Sequence, residues 1–299
     1  MSKDAFDRIA RLDLWTAHVD ITPLPGGITN RNFLVAERGG GRYVARLGED
    51  IPVHGVMRFN ELAAARAAHA AGLSPEVVHA EPGIMVSRFV DGRPLDAAAV
   101  RSVANRDRIV DLIRRCHTEL PKLLRGPSLV FWPFQAIRIY LGVLAEERHR
   151  LRPELPRLAS ITADLEAAVG PVHLAFGHND LLAGNILDDG ERLWLIDWDY
   201  AGFNTPLFDL ANLSSNNDFD ETDDAWLLVA YFGVRATAAQ CRPMLAMKAV
   251  SLLREALWSA VSETRSTIDF DYAGYTRAGL DRFEAALDVF LASDPAEDP

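Results

Sequence analysis

Residues 177–199 read GHNDLLAGNILDDGERLWLIDWD. Asp180 and Asn185 share one short polar loop, and a hairpin follows it. Ile186-Leu187 is apolar, Asp188-Asp189-Gly190 is a turn, and Leu193–Ile196 is an apolar return strand. That hairpin brings Asp197 back beside Asn185. A carboxylate and an amide oxygen side by side form the hard-oxygen pair that magnesium takes. Asp180, on the loop before the hairpin, is then free to meet an attacking hydroxyl. Each element alone has a plainer reading, because Asx residues in loops commonly do no more than close turns. Loop, hairpin and strand-end acid together favour chemistry.

Outward from this stretch, residues 20–90 carry strand-like runs with turn signals. Ile28–Val35, after Gly26-Gly27, and Arg42–Leu47, after Gly39-Gly40-Gly41, read as a hairpin. The Ala-rich run 59–71 stops at Gly72, as a helix does. Ile84–Val90 (IMVSRFV) reads as a strand broken by Asp91-Gly92. Beyond residue 95, helical spacing dominates in segments 97–119, 134–149, 157–169, 222–232, 243–264 and 272–293. The expected fold class is α+β, with a small β-rich lobe over 1–90 and a larger, mostly helical lobe over 91–299.

The glycine pair at the head of the first hairpin suits a phosphate. Gly26, Gly27, Thr29 and Asn30 lie between strands, where glycine permits close backbone approach and free N–H groups cradle oxygens. Most such pairs are plain turns, and this one is not a Walker A motif. A phosphate site wants a cation on the next strand. The three lysines, Lys3, Lys122 and Lys248, lie elsewhere, and Arg46 stands in that place. Glu61, on the following helix, is its expected orienting partner. On an open surface the same pair would be worth only about 0–1 kcal/mol. Ser87 and Phe89, in the joint between the lobes, complete the expected nucleotide set.

Composition narrows the function classes. Apolar residues make up 49% of the 299-residue chain, enough for a sizeable core. The formal net charge of −11 argues against nucleic acid or anionic lipid and suits a cationic ligand. Cys116 and Cys241 form no C-x-x-C pair, and no H-E-x-x-H or G-x-S-x-G motif is present. The N-terminal residues lack the apolar core of a signal peptide, and no run approaches the ~18 apolar residues of a membrane span. A cytoplasmic protein is the expectation.

His178 to Asn185 fits H-x-D-x-x-x-x-N, the protein-kinase catalytic-loop spacing, although Trp198-Asp199 follows Asp197 where kinases carry Phe-Gly. The run GHNDLLAGNILDDGERLWLIDWDYAGFNTPLFDLAN (177–212) resembles the choline/ethanolamine kinase family, within the wider aminoglycoside-phosphotransferase-like group. REALWSAVSETRSTIDFDYAGYTRAGLDRF (254–283) is similar to that family's C-terminal segment, and GGITNRNFLV with YVARL to its phosphate-loop hairpin. The resemblance implies a bilobal protein-kinase-like fold using ATP and Mg²⁺. It implies Asp180 as base, Asn185 and Asp197 as metal ligands, Arg46 as phosphate clamp and Asp209 as a structural brace. Asp199 stands where the family often has Glu and is grouped with the substrate.

The implied acceptor is a small amino alcohol, choline or ethanolamine. Aromatic faces hold a quaternary ammonium at about 0.5–2 kcal/mol each. The C-terminal third offers Trp258, Phe270, Tyr272 and Tyr275, with Glu255 and Asp269 nearby. Trp258 sits at the edge of the stripe Val250, Leu253, Leu257, Val261, from which it could face a cleft, although aromatics there usually belong to the core. Two other readings compete. One is a related kinase for an aminoglycoside, thiamine or another hydroxylated amine. The other is a non-catalytic nucleotide-binding module, against which the complete set of base and metal ligands speaks.

Overall fold

The computed structural model describes residues 3–25, 30–233 and 238–293. Helix α1 (Lys3–Ala10) precedes an antiparallel sheet of β1 (Val19–Leu24), β2 (Arg31–Glu37), β3 (Arg42–Leu47), β4 (Val77–Glu81) and β5 (Ile84–Arg88), in the order β1-β2-β3-β5-β4. β2 and β3 form the hairpin the sequence predicts, with Arg46 opposite Asn32. The turn closes through Gly39, whose φ of +73° is one that side chains rarely adopt. Phe33, Val35, Ala45, Leu47, Ile84 and Val86 point to one face and pack on Ala5, Ile9 and Leu12, making a small core of their own. Period-2 alternation puts Arg46, between Ala45 and Leu47, on the opposite face.

Helix α2 (Arg58–Ala70) joins the sheet to the rest of the chain. It is fixed at both ends. Near its start, Asn60 Nδ2 donates to the Ala201 carbonyl at 2.7 Å. Beyond its end, the Leu195 N–H donates to the Leu73 carbonyl at 2.8 Å, and Trp198 Nε1 donates to Ser74 Oγ at 3.1 Å.

The remainder is mostly helical. Two-residue β6 (Arg93–Pro94) leads into α3 (Ala97–Arg101), α4 (Val103–Leu123), α5 (Pro133–Glu146) and α6 (Leu155–Val169). The short strands β7 (Ala175–Gly177), β8 (Ile186–Asp188), β9 (Leu193–Leu195) and β10 (Gly202–Asn204) follow. Helices α7 (Pro206–Asn216), α8 (Glu221–Phe232), α9 (Ala238–Arg265) and α10 (Tyr272–Ala292) complete the chain. α9 runs through the middle, packed by α5, α6, α7 and α10. Its Ala246, Met247, Ala249, Val250, Leu253, Leu257 and Val261 are fully buried, as expected of a helix surrounded by others. No helix among the described residues is long and apolar enough to cross a membrane.

Three details differ from the sequence reading. The segment 97–119 is two helices, because Ser102 adopts an extended ψ of 143° and its hydroxyl bonds back to the Ala99 carbonyl. The strand predicted over 84–90 ends at Arg88. Helix α7, which that reading passed over, starts with Pro206 in its first turn, where proline's missing N–H costs nothing. The architecture is α+β and kinase-like, with an N-terminal antiparallel sheet and a helical C-terminal part.

Candidate active site

The loop from His178 to Asn185 is held by buried acceptors beneath it. Asp209, on α7, accepts from the His178 N–H at 2.9 Å and the Asn179 N–H at 2.7 Å, while His117 lies 2.9 Å from its second face. Burial would raise the Asp209 pKa, but the hydrogen bond and charge of His117 outweigh it and hold the pKa below the usual range. Asn212, one turn further along α7, accepts from the Leu181 N–H at 2.5 Å. Asn179 has φ +64°, a left-handed conformation that Asn tolerates, and its amide bonds the Tyr200 carbonyl at 2.9 Å. The loop between β7 and β8 is therefore wired from inside, and Asp180 emerges half-buried at its crest. Among the described residues, no hydrogen bond or ion pair engages the Asp180 carboxylate.

The β8–β9 hairpin sets the next pair. Ile186 pairs with Leu195, and the Ile196 N–H donates to the Asn185 carbonyl at 3.0 Å, so Asp197 comes level with Asn185. Asn185 Nδ2 donates to the Asp180 carbonyl at 2.9 Å, which turns its amide oxygen away from the loop. Asp197 leaves the strand with φ +69°. Left-handed backbone at an acid beside a cleft is a form of strain that functional sites tolerate. An amide oxygen and one carboxylate fit a small hard cation that keeps several of its waters.

Across the cleft, Arg46 from β3 gathers three acids. Its Nη1 lies 2.8 Å from Glu61 Oε1, and its Nη2 lies 2.6 Å from Asp197 Oδ1 and 3.0 Å from Asp199 Oδ2. Arg58, at the start of α2, pairs with Glu61 Oε2 at 2.6 Å and Asp199 Oδ1 at 2.7 Å. Asn30 ties in by donating to Asp199 at 2.8 Å and accepting from Arg58 at 2.7 Å. Burial works against the Arg46 charge, but Asp197, Asp199 and Glu61 outweigh it and raise its pKa. Glu61 shifts upward because its burial outweighs its two arginine partners. Asp197 is held low, since Arg46 outweighs burial.

A cavity of about 350 Å³ opens between the sheet and the β8–β9 hairpin. Val44, Arg46, Ser87, Phe89, Leu187 and Asp197 line it. Apolar walls with an arginine and an acid at one end suit a base and its phosphates.

An aromatic wall is built on α9, α10 and the segment between them. Tyr275 OH donates to Glu255 Oε1 at 2.9 Å, and Arg254 Nη2 donates to Glu255 Oε2 at 2.6 Å. Trp258 and Tyr272 pack with ring centroids 6.0 Å apart, and Phe270 meets Tyr272 and Tyr275 at 5.0 and 5.7 Å. Burial raises the Asp180 pKa well above its ordinary value, and the Glu255 charge adds to it.

The structure thus sets Asn185 level with Asp197, with Asp180 on the same loop, and gathers Arg46, Ser87, Phe89 and Asp197 around one cavity, where Glu61 orients Arg46; Glu255 and Tyr275 are joined to each other on the helical side. Gly26, Gly27 and Thr29 lie outside the described residues. Asp199, grouped with the substrate in the sequence reading, sits instead in the ionic cluster of Arg46, Arg58 and Asn30, where it is 2% exposed. Trp258 and Tyr272 are 3% and 6% exposed, so they back the wall while Glu255, Tyr275 and Phe270 show their surfaces. Sequence reasoning missed three residues. Arg58, three residues before Glu61, was legible as an i,i+3 ion pair. Arg254 is buried and lies over the Tyr200 ring at 5.0 Å. His54 bridges Tyr140 OH and Ser262 Oγ, both at 3.2 Å. These last two contacts link residues far apart in the chain and leave no local signal.

Residues 20–243 match the family model described as phosphotransferase enzyme family. The chain is 26% identical over 273 residues to the protein LicA of Haemophilus influenzae, covering 88% of this chain and 77% of that one. The crystal structure of a choline/ethanolamine kinase family protein from Mesorhizobium loti superposes with a TM-score of 0.76 at 28% identity, covering 97% of each chain. Choline kinase LicA from Streptococcus pneumoniae shares the fold with a TM-score of 0.78 at 21% identity, over 97% of this chain and 98% of that one. With this site on this fold, and a family match over most of its length, the chain belongs to the phosphotransferase enzyme family.

Proposed function

We propose that this protein transfers the γ-phosphoryl group of ATP to the hydroxyl of a small amino alcohol, choline or ethanolamine. One observation carries the reading. Asp180 shares its loop with Asn185, which the β8–β9 hairpin sets level with Asp197, and among the described residues no hydrogen bond or ion pair engages its carboxylate. The named activities of the choline and ethanolamine kinases among the relatives support the same acceptor class. We divide the chain into a nucleotide-binding lobe over 1–90 and a catalytic and acceptor-binding lobe over 91–299.

In this reading the nucleotide lies against Ser87 and Phe89, with its phosphates toward Arg46. Glu61 holds the Arg46 guanidinium in place. Asn185 and Asp197 would hold magnesium, which when bound neutralises charge on the phosphates. Asp180 accepts the acceptor's hydroxyl proton as the new O–P bond forms and the bond to ADP breaks.

The test is direct. Purified protein with Mg-ATP should release ADP with choline or ethanolamine, and Asp180→Asn should cut turnover by at least about 10²-fold. No ADP above background across a panel of amino alcohols would overturn the assignment. Turnover confined to aminoglycosides or thiamine would replace the acceptor and keep the chemistry.

A further inference from the structure

Tyr231, in the last turn of α8, has no part in the site described above, yet its hydroxyl lies 2.6 Å from His117 Nδ1. The other nitrogen of that ring, Nε2, lies 2.9 Å from Asp209 Oδ2. A carboxylate can only accept there, so Nε2 carries a proton and donates. The same Oδ2 accepts from the His178 N–H at 2.9 Å, and Oδ1 accepts from the Asn179 N–H at 2.7 Å. One file of hydrogen bonds therefore runs from α8 to the loop that carries Asp180. Helix α4 grips its outer end as well. Arg114, one turn before His117, donates from Nη2 to the Ala230 carbonyl at 2.6 Å and to the Tyr231 carbonyl at 3.2 Å, and its guanidinium stands 5.8 Å over the Tyr231 ring. Burial and the Asp209 charge push the Tyr231 pKa up to about 12, so the hydroxyl keeps its proton at neutral pH.

Rotation about the last side-chain bond of a histidine is soft, so a single hydrogen bond leaves the ring free to turn. A bond at each nitrogen fixes it. With Nδ1 held, Nε2 stays on Asp209, and Asp209 keeps one oxygen on each of two consecutive N–H groups. With Nδ1 let go, the ring can turn Nε2 away, and a buried carboxylate loses a donor. We propose that Tyr231 is a positioning residue for the transfer step: its hydroxyl pins the His117 ring, which aims Asp209, which sets the loop bearing Asp180. Its effect on turnover rests on the amino-alcohol kinase reading above, whereas its hold on the loop stands without that reading.

Tyr231→Phe keeps the ring under Arg114 and removes only the hydroxyl. With Mg-ATP and either choline or ethanolamine varied, kcat should fall at least about fivefold, while KM for ATP and for the amine stays within about twofold. A packing role alone would lower Tm and leave kcat as it was. His117→Gln keeps an amide donor for Asp209 but has no ring nitrogen for Tyr231, so adding Tyr231→Phe to it costs less than about twofold. Amide hydrogen exchange reads the link without turnover: the His178 and Asn179 N–H groups should exchange at least about tenfold faster in Tyr231→Phe, with those of Leu253 and Leu257 on α9 unchanged. Exchange unmoved at His178 and Asn179 or faster throughout, kcat within about twofold of wild type, or the same loss in both backgrounds overturns the role given to Tyr231 and leaves the kinase standing. No turnover by the wild type with either amine overturns the kinase reading, and exchange alone then decides for or against the link.

Discussion

Arg58 Nη1 lies 2.7 Å from Asp199 Oδ1, joining the first turn of α2 to the segment that follows Asp197. The same nitrogen lies 2.6 Å from Glu61 Oε2, so one guanidinium serves two acids that are almost wholly buried. Removing it leaves Arg46, among the described residues, as the one guanidinium against the three acids Glu61, Asp197 and Asp199. Arg58→Met should therefore destabilise the protein by about 3 kcal/mol. In a chain of this size that lowers Tm by about 5 °C. Thermal unfolding by circular dichroism reads the effect, and an unchanged midpoint would mean that Arg58 is idle.

Arg46 spans Glu61, Asp197 and Asp199 with a planar fork, which a lysine cannot reproduce. Arg46→Lys keeps the charge and loses the geometry. Steady-state kinetics with ATP varied should show kcat/KM reduced at least about tenfold, with folding intact by circular dichroism. Wild-type kinetics in the lysine variant would show that charge alone matters here.

His54 gives the protein a specific weakness in mild acid. Burial, aided by the Arg254 charge, lowers its pKa to about 3, whereas the unfolded chain titrates near the ordinary histidine value. The unfolded state therefore takes up the proton first as pH falls. The stability this residue contributes is complete above about pH 6.5 and is lost toward about pH 3, at roughly 1.4 kcal/mol per pH unit. Urea unfolding at pH 7, 6 and 5 should show that decline in the wild type and a flatter one in His54→Gln. Parallel slopes for the two proteins would rule out His54 as the source.

Asp209 holds two consecutive N–H groups of the loop that carries Asp180. Asp209→Asn replaces one acceptor oxygen with a donor facing those same N–H groups. Turnover should fall at least about tenfold and stability by about 3 kcal/mol. Because the folded-state pKa of Asp209 is depressed, its contribution is present above the unfolded value near 4 and is lost as pH falls below it. The mutant should lack that acid-side component when unfolding is followed between pH 5 and 3.

The centre of the site was legible because it is local. Asp180, Asn185 and Asp197 stand on one loop and one hairpin, and the Asp188-Asp189-Gly190 turn fixes their register in sequence. Arg46 followed from its place on a strand. The ionic partners of Asp199 were not legible because Arg58 and Asn30 are 141 and 169 residues away in the chain. For Trp258 both a cleft and the core stayed open, because a single stripe suggested an outer side to its helix. α9 has almost none, since α10 and the other neighbours cover it. Helix α7 was passed over, so Asn212 on it went unnoticed, whereas Asp209 came from the family resemblance.

The two-ended anchoring of α2 has an outcome for control. In protein kinases, rocking of the helix that bears the glutamate partner switches activity on and off. Here Asn60 clamps the front of that helix to the Ala201 carbonyl, and the Leu73 and Ser74 contacts clamp its back to Leu195 and Trp198. Such a rod has no hinge to swing on. Throughput in such a molecule follows the supply of its reactants, with no on-off lever built into this part of the scaffold.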